Sequence, residues 1–384
     1  MLFFYSCDII NFINAPLQRA KAKAVEILKV GEEDYIMKKS VVKRILAVSL
    51  ASVMALGMLA GCGSKDSGKT TEEAPVAEEA TTQAGDDTTA ADSGETVYNI
   101  GVLQLVQHDA LDASNEGFFK ALDDKGIKYK ADQQNAAGEP SACQTIAQTL
   151  VDNKSDLIFS IATPAAQAVA GITSDIPIVV TAVTDPAASE LCESNEAPGT
   201  NVTGTSDLTP IKEQMDLLKE ILPEAKKVGI LFCSAESNSE IQAAMAREAL
   251  DALGIEHEDY VVSSSNEIQS VVESAIGKVD ALYAPTDNVV AAAMSTVAMI
   301  ATENKIPVIC GEEGMVSEGG LATYGIDYYE LGYKAGEMAA SILVDGANPA
   351  DMPIGYLEAS ECKRSINLDT AEALGLDINS LGAE

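Results

Sequence analysis

No tryptophan occurs among the 384 residues, and histidine occurs only twice, as His108 and His257. Two histidines on distant parts of the chain give little material for imidazole-ligated metal centres or for histidine-based catalysis. Aromatic side chains make up 5% of the chain, too few for the stacked platforms that sugar and single-stranded nucleic-acid sites use. Basic residues number 25 against 59 acidic ones, a net charge of −34. That excess favours solubility and argues against nucleic acid or an anionic membrane face as partner. Seven cysteines are present without a CxxC pair, which points to neither a zinc site nor a redox couple. Buried thiols are the expected state of Cys143, Cys192, Cys233, Cys310 and Cys362, and an exported chain leaves a disulfide open. No GxSxG elbow or GxGxxG turn occurs, so no catalytic residue, metal or cofactor is assigned and an enzyme is not expected.

What the chain does have begins at Met37. Lys38, Lys39, Lys43 and Arg44 form a basic flank, and Ile45 to Leu59 is an apolar stretch of signal-peptide length. It ends in Leu59-Ala60-Gly61-Cys62, the pattern of a bacterial lipobox, which predicts cleavage before Cys62 and lipid on its thiol. Residues 1–36 then stand ahead of a signal, and translation is expected to start at Met37. Gly31-Glu32-Glu33 requires a purine-rich codon run that suits a ribosome-binding sequence. From Cys62 to residue 96 the chain is Thr, Ala, Glu and Asp with little apolar content, which predicts an extended acidic tether.

From Val97 onward, short β-branched runs alternate with helical patterns, the signature of parallel sheets covered on both faces. Asn99–Leu103 reads as a strand, Asn115–Lys125 as a helix, Leu157–Phe159 as a strand, Thr163–Ile172 as a helix and Ile178–Val180 as a strand. The series then repeats. Val228–Leu231 echoes Ile100–Leu103, Leu250–Ile255 echoes Leu122–Ile127, Asp280–Tyr283 echoes Asp156–Phe159, and Ile306–Ile309 echoes Ile176–Val179. The offset stays near about 124 to 130 residues, too long for a solenoid unit and suited to a duplicated domain. The fold class expected is α/β, two similar doubly wound parallel-sheet lobes with a ligand cleft between them. Residues 97–206 with about 324–348 make the first lobe, and 207–323 with about 349–384 the second.

Doubly wound sheets bind ligands beyond the carboxyl ends of their strands. The polar residues of those loops are therefore the candidates. Thr163 is expected to cap a helix with Pro164 at its first position, leaving the N–H groups of Ala165 and Ala166 for a carboxylate, with Ser160 beside them. Asp287 can cap its own helix or accept from an ammonium group, flanked by Thr286 and Asn288. Thr184 and Asp185 form another polar turn. Gln104, His108 and Asn238 come from the loops after the first strand of each lobe, and Ser206 lies at a crossing between them.

Several segments together resemble a known family. They are Gly101–Gln104, Ile161–Gln167, Thr181–Pro186, Asn201–Asp207, Asp280–Tyr283 with Pro285–Asn288, and Gly320–Gly325 with Asp327–Tyr329. They look like the ABC-transporter substrate-binding family typified by tryptophan-uptake lipoproteins. The resemblance covers nearly all of residues 98–378. It implies a type I periplasmic-binding-protein fold with three crossovers, and an aromatic or other hydrophobic amino acid, such as tryptophan, captured by lobe closure. It also implies a monomer serving a membrane permease and ATPase from the outer face of the membrane. Hinges are expected near Thr205–Thr209, Leu321–Ile326 and Asn348–Ile354. Cys310-Gly311-Glu312-Glu313-Gly314 departs from the family pattern and puts Glu312 beside the cleft. A sugar or nucleoside receptor on the same fold, or a sensing lipoprotein, are the alternatives. A repressor of this fold would need a DNA-binding helix pair where the signal stands.

Overall fold

The computed structural model describes residues 96–357 and 361–377. The readings of Met37, Cys62 and the tether lie outside them. In the first sheet, β1 (Val97–Gln104), β3 (Leu157–Ile161), β4 (Ile178–Val183) and β5 (Val202–Ser206) are mostly or wholly buried. The polar β2 (Lys128–Asn135) takes an edge. Apolar runs of this kind belong inside a sheet covered on both faces, and a polar strand suits the rim. The order is β2-β1-β3-β4-β5, all parallel.

The second sheet contains β6 (Lys227–Cys233), β7 (Glu256–Val262), β8 (Ala281–Ala284), β9 (Val308–Cys310) and β10 (Ala322–Gly325). They run β7-β6-β8-β9-β10, again parallel. An antiparallel β11 (Lys363–Ile366) joins the β10 edge. Strand for strand the order is the same in both sheets, which is what the four sequence echoes require.

The first lobe carries α1 (Asp109–Asp124), α2 (Pro140–Asp152) and α3 (Thr163–Ala170). Helix α1 starts ahead of the expected Asn115. Asp109 and Asp112 sit in its first turn, where the positive helix end favours them, and Leu111 is buried. The second lobe carries α4 (Ile211–Ile221), α5 (Ser237–Leu253), α6 (Ile268–Ala275), α7 (Asn288–Ala291), α8 (Met294–Glu303) and α9 (Glu313–Ser317). Then α10 (Tyr328–Asp345) returns to the first lobe, and α11 (Leu368–Leu374) belongs to the second.

Helix α10 lies backbone to backbone on α1. A Cβ at Gly117 would overlap the Tyr329 carbonyl, and one at Gly332 would overlap the Ser114 carbonyl. The Ser114 hydroxyl adds a hydrogen bond to the Tyr328 carbonyl at 3.0 Å. Tyr328, Leu331, Ala335 and Ile342 of α10 thereby join the first-lobe core with Phe118 and Phe159.

The chain leaves the first sheet after Ser206 and re-enters the first lobe between Gly325 and Tyr328. The last crossing lies beyond Gly355 rather than at Asn348–Ile354. Thr203 donates to the Met352 carbonyl, and the N–H groups of Ile354 and Gly355 donate to the carbonyls of Asn195 and Gly204. These bonds tie residues 352–355 to the first lobe. Cys143, Cys192, Cys233 and Cys310 are buried free thiols. Burial raises each thiol above its usual range, to about 11 for Cys143 and Cys192 and about 12 for Cys233.

Candidate functional site: the cleft between the lobes

The carboxyl ends of β1, β3 and β4 face those of β6, β8 and β9, and the lobes touch. His108 Nε2 lies 3.3 Å from Asn288 Oδ1, Gln242 Nε2 donates to Thr184 Oγ1 at 2.8 Å, and Gln167 Nε2 donates to Ser237 Oγ at 3.4 Å. Asn288 gives its Nδ2 to Glu236 at 2.5 Å, so its Oδ1 is the acceptor and His108 carries the proton on Nε2. Burial holds His108 below its ordinary range, which keeps the ring neutral.

Two cavities open beside these contacts. One, of ≈ 200 Å³, runs between Leu105, Val106 and Pro164 of the first lobe and Ala235, Glu236, Asn288, Val289 and Ala292 of the second. The other, of ≈ 180 Å³, is bounded by Gln107, His108, Asp109, Ala291, Ser295, Glu312 and Glu318. A void of ≈ 10 Å³, the size of about one water, lies by Leu111, Asp207, Thr286 and Tyr328.

The first-lobe wall is the turn from β3 into α3. Ala162, not Thr163, caps the helix, so Thr163 is the first helical residue and Ala165 follows in the buried first turn. The expected cap fails because Ala162 adopts φ 82, ψ 153 and takes the chain round the corner one residue earlier. Its methyl group offers no capping acceptor. Ala166 is not free for a ligand, because its N–H donates to the Ala162 carbonyl at 3.0 Å. Ser160 and Thr163 are wholly buried, and neither Oγ has a protein partner. They lie beneath Pro164, which lines the larger of the two cavities, and themselves line neither.

The second-lobe wall holds buried acid. Glu236 accepts from Asn288 Nδ2, from the Val289 N–H at 3.1 Å and from Asn238 Nδ2 at 3.3 Å. Burial, and next the carboxylate of Asp287, push Glu236 up to about 8. Asp287 is also raised by burial, and both its oxygens are occupied, by Cys233 N–H at 2.6 Å and Val290 N–H at 2.8 Å. Asp287 caps α7 through the Val290 N–H, and Glu236, whose oxygens are also both engaged, is the carboxylate that lines the larger of the two cavities. Asn238 Oδ1 is buried and without a protein partner.

The remaining candidates are held by the protein itself. Gln104 Nε2 donates to Val106 O and Asp112 Oδ1, Asp185 Oδ1 accepts from Ala188 N–H and Asn195 Nδ2, and Ser206 Oγ donates to Thr184 O. Thr286 is bonded to Gln242 through both its N–H and its hydroxyl. Glu312 caps α9 through Gly314 and Met315 N–H groups, and burial lifts it to about 7. Its neighbour Glu313 is exposed. Among the described residues no group of side chains has the arrangement of a metal site, and no helix is long and apolar enough to cross a membrane.

Four residues were missed by sequence reasoning: Glu236, Gln242, Asp207 and Tyr328. Asp207 accepts from the Tyr328 hydroxyl at 2.8 Å, joining two crossings, and burial raises its carboxyl to about 6. Gln242 had a legible signal, since it follows Asn238 by one helical turn and shares its face.

Comparisons with known proteins agree with this architecture. The model of a family described as ABC transporter substrate binding protein matches residues 99–381. A tyrosine-binding protein of Clostridioides difficile is 41% identical over 346 residues, 89% of this chain and 94% of its own. A Streptococcus pneumoniae domain solved with L-Trp is 38% identical, with TM-score 0.71, covering 74% of this chain and 96% of that one. A ligand-free, open substrate-binding protein with adhesive properties from Clostridium difficile is 44% identical. It covers 73% of this chain and 95% of that one, yet its TM-score is only 0.57. A lower score at higher identity is what a difference in lobe closure produces, in keeping with the cross-lobe contacts here. The chain belongs to the ABC transporter substrate-binding protein family.

Proposed function

We propose that the cleft captures an aromatic L-amino acid by lobe closure and presents it to a membrane permease and its ATPase. The carrying observation is the unlike pair of walls. Ser160 and Thr163 offer unpaired hydroxyls at a helix start whose cap has no side-chain acceptor, a site for a carboxylate. Across the cleft, Glu236 and the unpaired Asn238 Oδ1 offer acceptors for an ammonium group. A zwitterion matches both ends, and its side chain enters the aliphatic slot of Leu105, Val106, Pro164, Val289 and Ala292. Ligand stabilises closure because both sets of contacts exist only in the closed form. The names of the C. difficile and S. pneumoniae relatives favour tyrosine or tryptophan. The Glu236 pair has no counterpart need in a neutral sugar, which disfavours that reading.

The family binds its cargo rather than transforming it, and its members work outside the cytoplasmic membrane. Lipid attachment through Cys62 and action as a monomer complete the proposal. Metabolic labelling with a radioactive fatty acid, lost in Cys62→Ser, tests the anchor.

A thermal-shift and titration series with L-tyrosine, L-tryptophan and L-phenylalanine tests the ligand. A ligand at 100 times its Kd adds about 2.7 kcal/mol of stability. For tryptophan the indole emission reports the ligand alone, since the protein has none. Stabilisation by a sugar or nucleoside, with no response to any amino acid, overturns the ligand class.

A further inference from the structure

We propose that Gln242 is a positioning residue for capture, clasping Thr184 of the opposite lobe only when the cleft is shut and so setting how readily the lobes close on any ligand. The choice of ligands in its test rests on the aromatic amino acid reading above, and the clasp itself does not.

Gln242 is wholly buried in α5 of the second lobe. Its amide has two donors and one good acceptor, and all are used. Nε2 donates to Thr184 Oγ1 at 2.8 Å and to Thr286 Oγ1 at 2.5 Å, and Oε1 accepts from the Thr286 N–H at 3.2 Å. Two of these bonds stay inside the second lobe. The third crosses to the first and is lost when the lobes part.

Thr184 is set for this role. The β4–β5 register shifts between Val180 and Val183, and Ala182 within the shift has φ 54. Such bulges re-aim the side chain that follows. The Ser206 hydroxyl then donates to the Thr184 carbonyl at 2.7 Å, fixing the residue to the first crossing. The bond therefore joins a rigid point near the hinge to a rigid point on α5.

Neither Gln242 nor Thr184 borders the cleft cavities, and of their partners Thr286 reaches only the void of ≈ 10 Å³. This distinguishes the clasp from His108 and Asn288, which border them and meet whatever is bound. It also differs from Gln167 and Ser237, whose bond lies exposed on the rim, where water competes. A bond made in the closed state and remote from the ligand multiplies every ligand's affinity by the same factor, because apparent affinity scales with the closed population.

The test titrates the wild type, Thr184→Val and Thr184→Ser with L-tyrosine, L-tryptophan and L-phenylalanine, and records small-angle scattering of each protein with and without ligand. Thr184→Val keeps the shape and removes the hydroxyl, which accepts from Gln242 and also bonds Asp207 on its own side of the cleft. It should weaken all ligands by one common factor of about 3 to 10, the worth of one hydrogen bond. Thr184→Ser, which keeps the hydroxyl, should stay within about 2-fold of the wild type, and saturating ligand should bring all three proteins to the same closed radius of gyration. Factors that differ between ligands would mean direct contact and overturn the clasp, as would unchanged affinities for Thr184→Val. Should the wild type bind none of the three amino acids, the ligand reading fails. The clasp is then judged on unliganded scattering alone, where a larger radius for Thr184→Val supports it and identical curves refute it.

Discussion

The turn after β3 and the turn after β8 hold the same place in two copies of one fold, yet they finish their helices in opposite ways. In the second lobe, Asp287 caps α7 with its own carboxylate and also binds the Cys233 N–H. In the first, Ala162 caps α3 without a side-chain hydrogen bond, and the Ser160 and Thr163 hydroxyls have no protein partner. One helix start is completed by its own side chain, and the other is the one we propose receives the ligand's carboxylate. The duplicated frame supplies two equivalent positions, and their side chains differ. Glu236, on the neighbouring loop, is the acid proposed to meet the ammonium group.

The comparison is sharpened most by Glu236→Gln. Removing a carboxyl that an ammonium group beside it would draw into its ionised form should weaken amino acid binding about 100-fold by calorimetry, while a ligand lacking the amino group should lose far less. Equal losses for both would break the assignment of the two walls. Next comes the contrast of caps. Asp287→Ala leaves the Cys233 and Val290 N–H groups without their acceptor and should cost about 2 kcal/mol in unliganded denaturant unfolding. Thr163→Val should leave that stability nearly unchanged and weaken binding about 10-fold. A reversal of those two outcomes would mean that the completed and the receiving helix had been exchanged.

Ala162→Gly is a smaller effect of opposite sign. An alanine at φ 82, ψ 153 occupies backbone space that only glycine enters freely, at a cost of order 1 kcal/mol. The glycine variant should melt a few degrees higher without ligand. Its binding should not improve, because the turn that presents Ser160 and Thr163 is no longer held as firmly.

The smallest expected change is with pH. Burial raises Asp207 to about 6, Glu312 to about 7 and Glu236 to about 8. A group whose folded pKa is raised gives its stabilisation in full below its unfolded value and loses it as pH climbs through the folded one. His108 is lowered, so its effect has the opposite direction and is confined to pH below its ordinary 6.5. Between about pH 6.5 and 8.5 only the acids act, and the unliganded melting temperature should fall. Glu236→Gln should flatten the upper half of that decline.

The parallel sheets and the duplication were legible because buried parallel strands are written as continuous apolar runs, and Ile306–Ile309 repeats the Ile-Pro and the β-branched pair of Ile176–Val179. The loops that form the cleft followed from strand ends alone. Which residue within a loop turns to the ligand did not. Asp287 and Glu236 are both acids near strand ends, and only the placement of the Cys233, Val289 and Val290 N–H groups decides which serves as the helix cap and which stands on the cavity. The cap at Ala162 was misread because nothing in Ile161-Ala162-Thr163-Pro164 announces a positive φ at an alanine. Gln242 lies inside a helix rather than in a loop, and its partner comes from the other lobe.

The seating of α10 on α1 through Gly117 and Gly332 has a consequence for how such a receptor can change. With carbonyls where any side chain would have to go, that joint has no room for drift, and His108 and Tyr328 travel on one frozen frame. Retuning this protein to a new cargo, by natural variation or by an engineer, must therefore be done by exchanging side chains at the loop tips, because the scaffold beneath them is not negotiable.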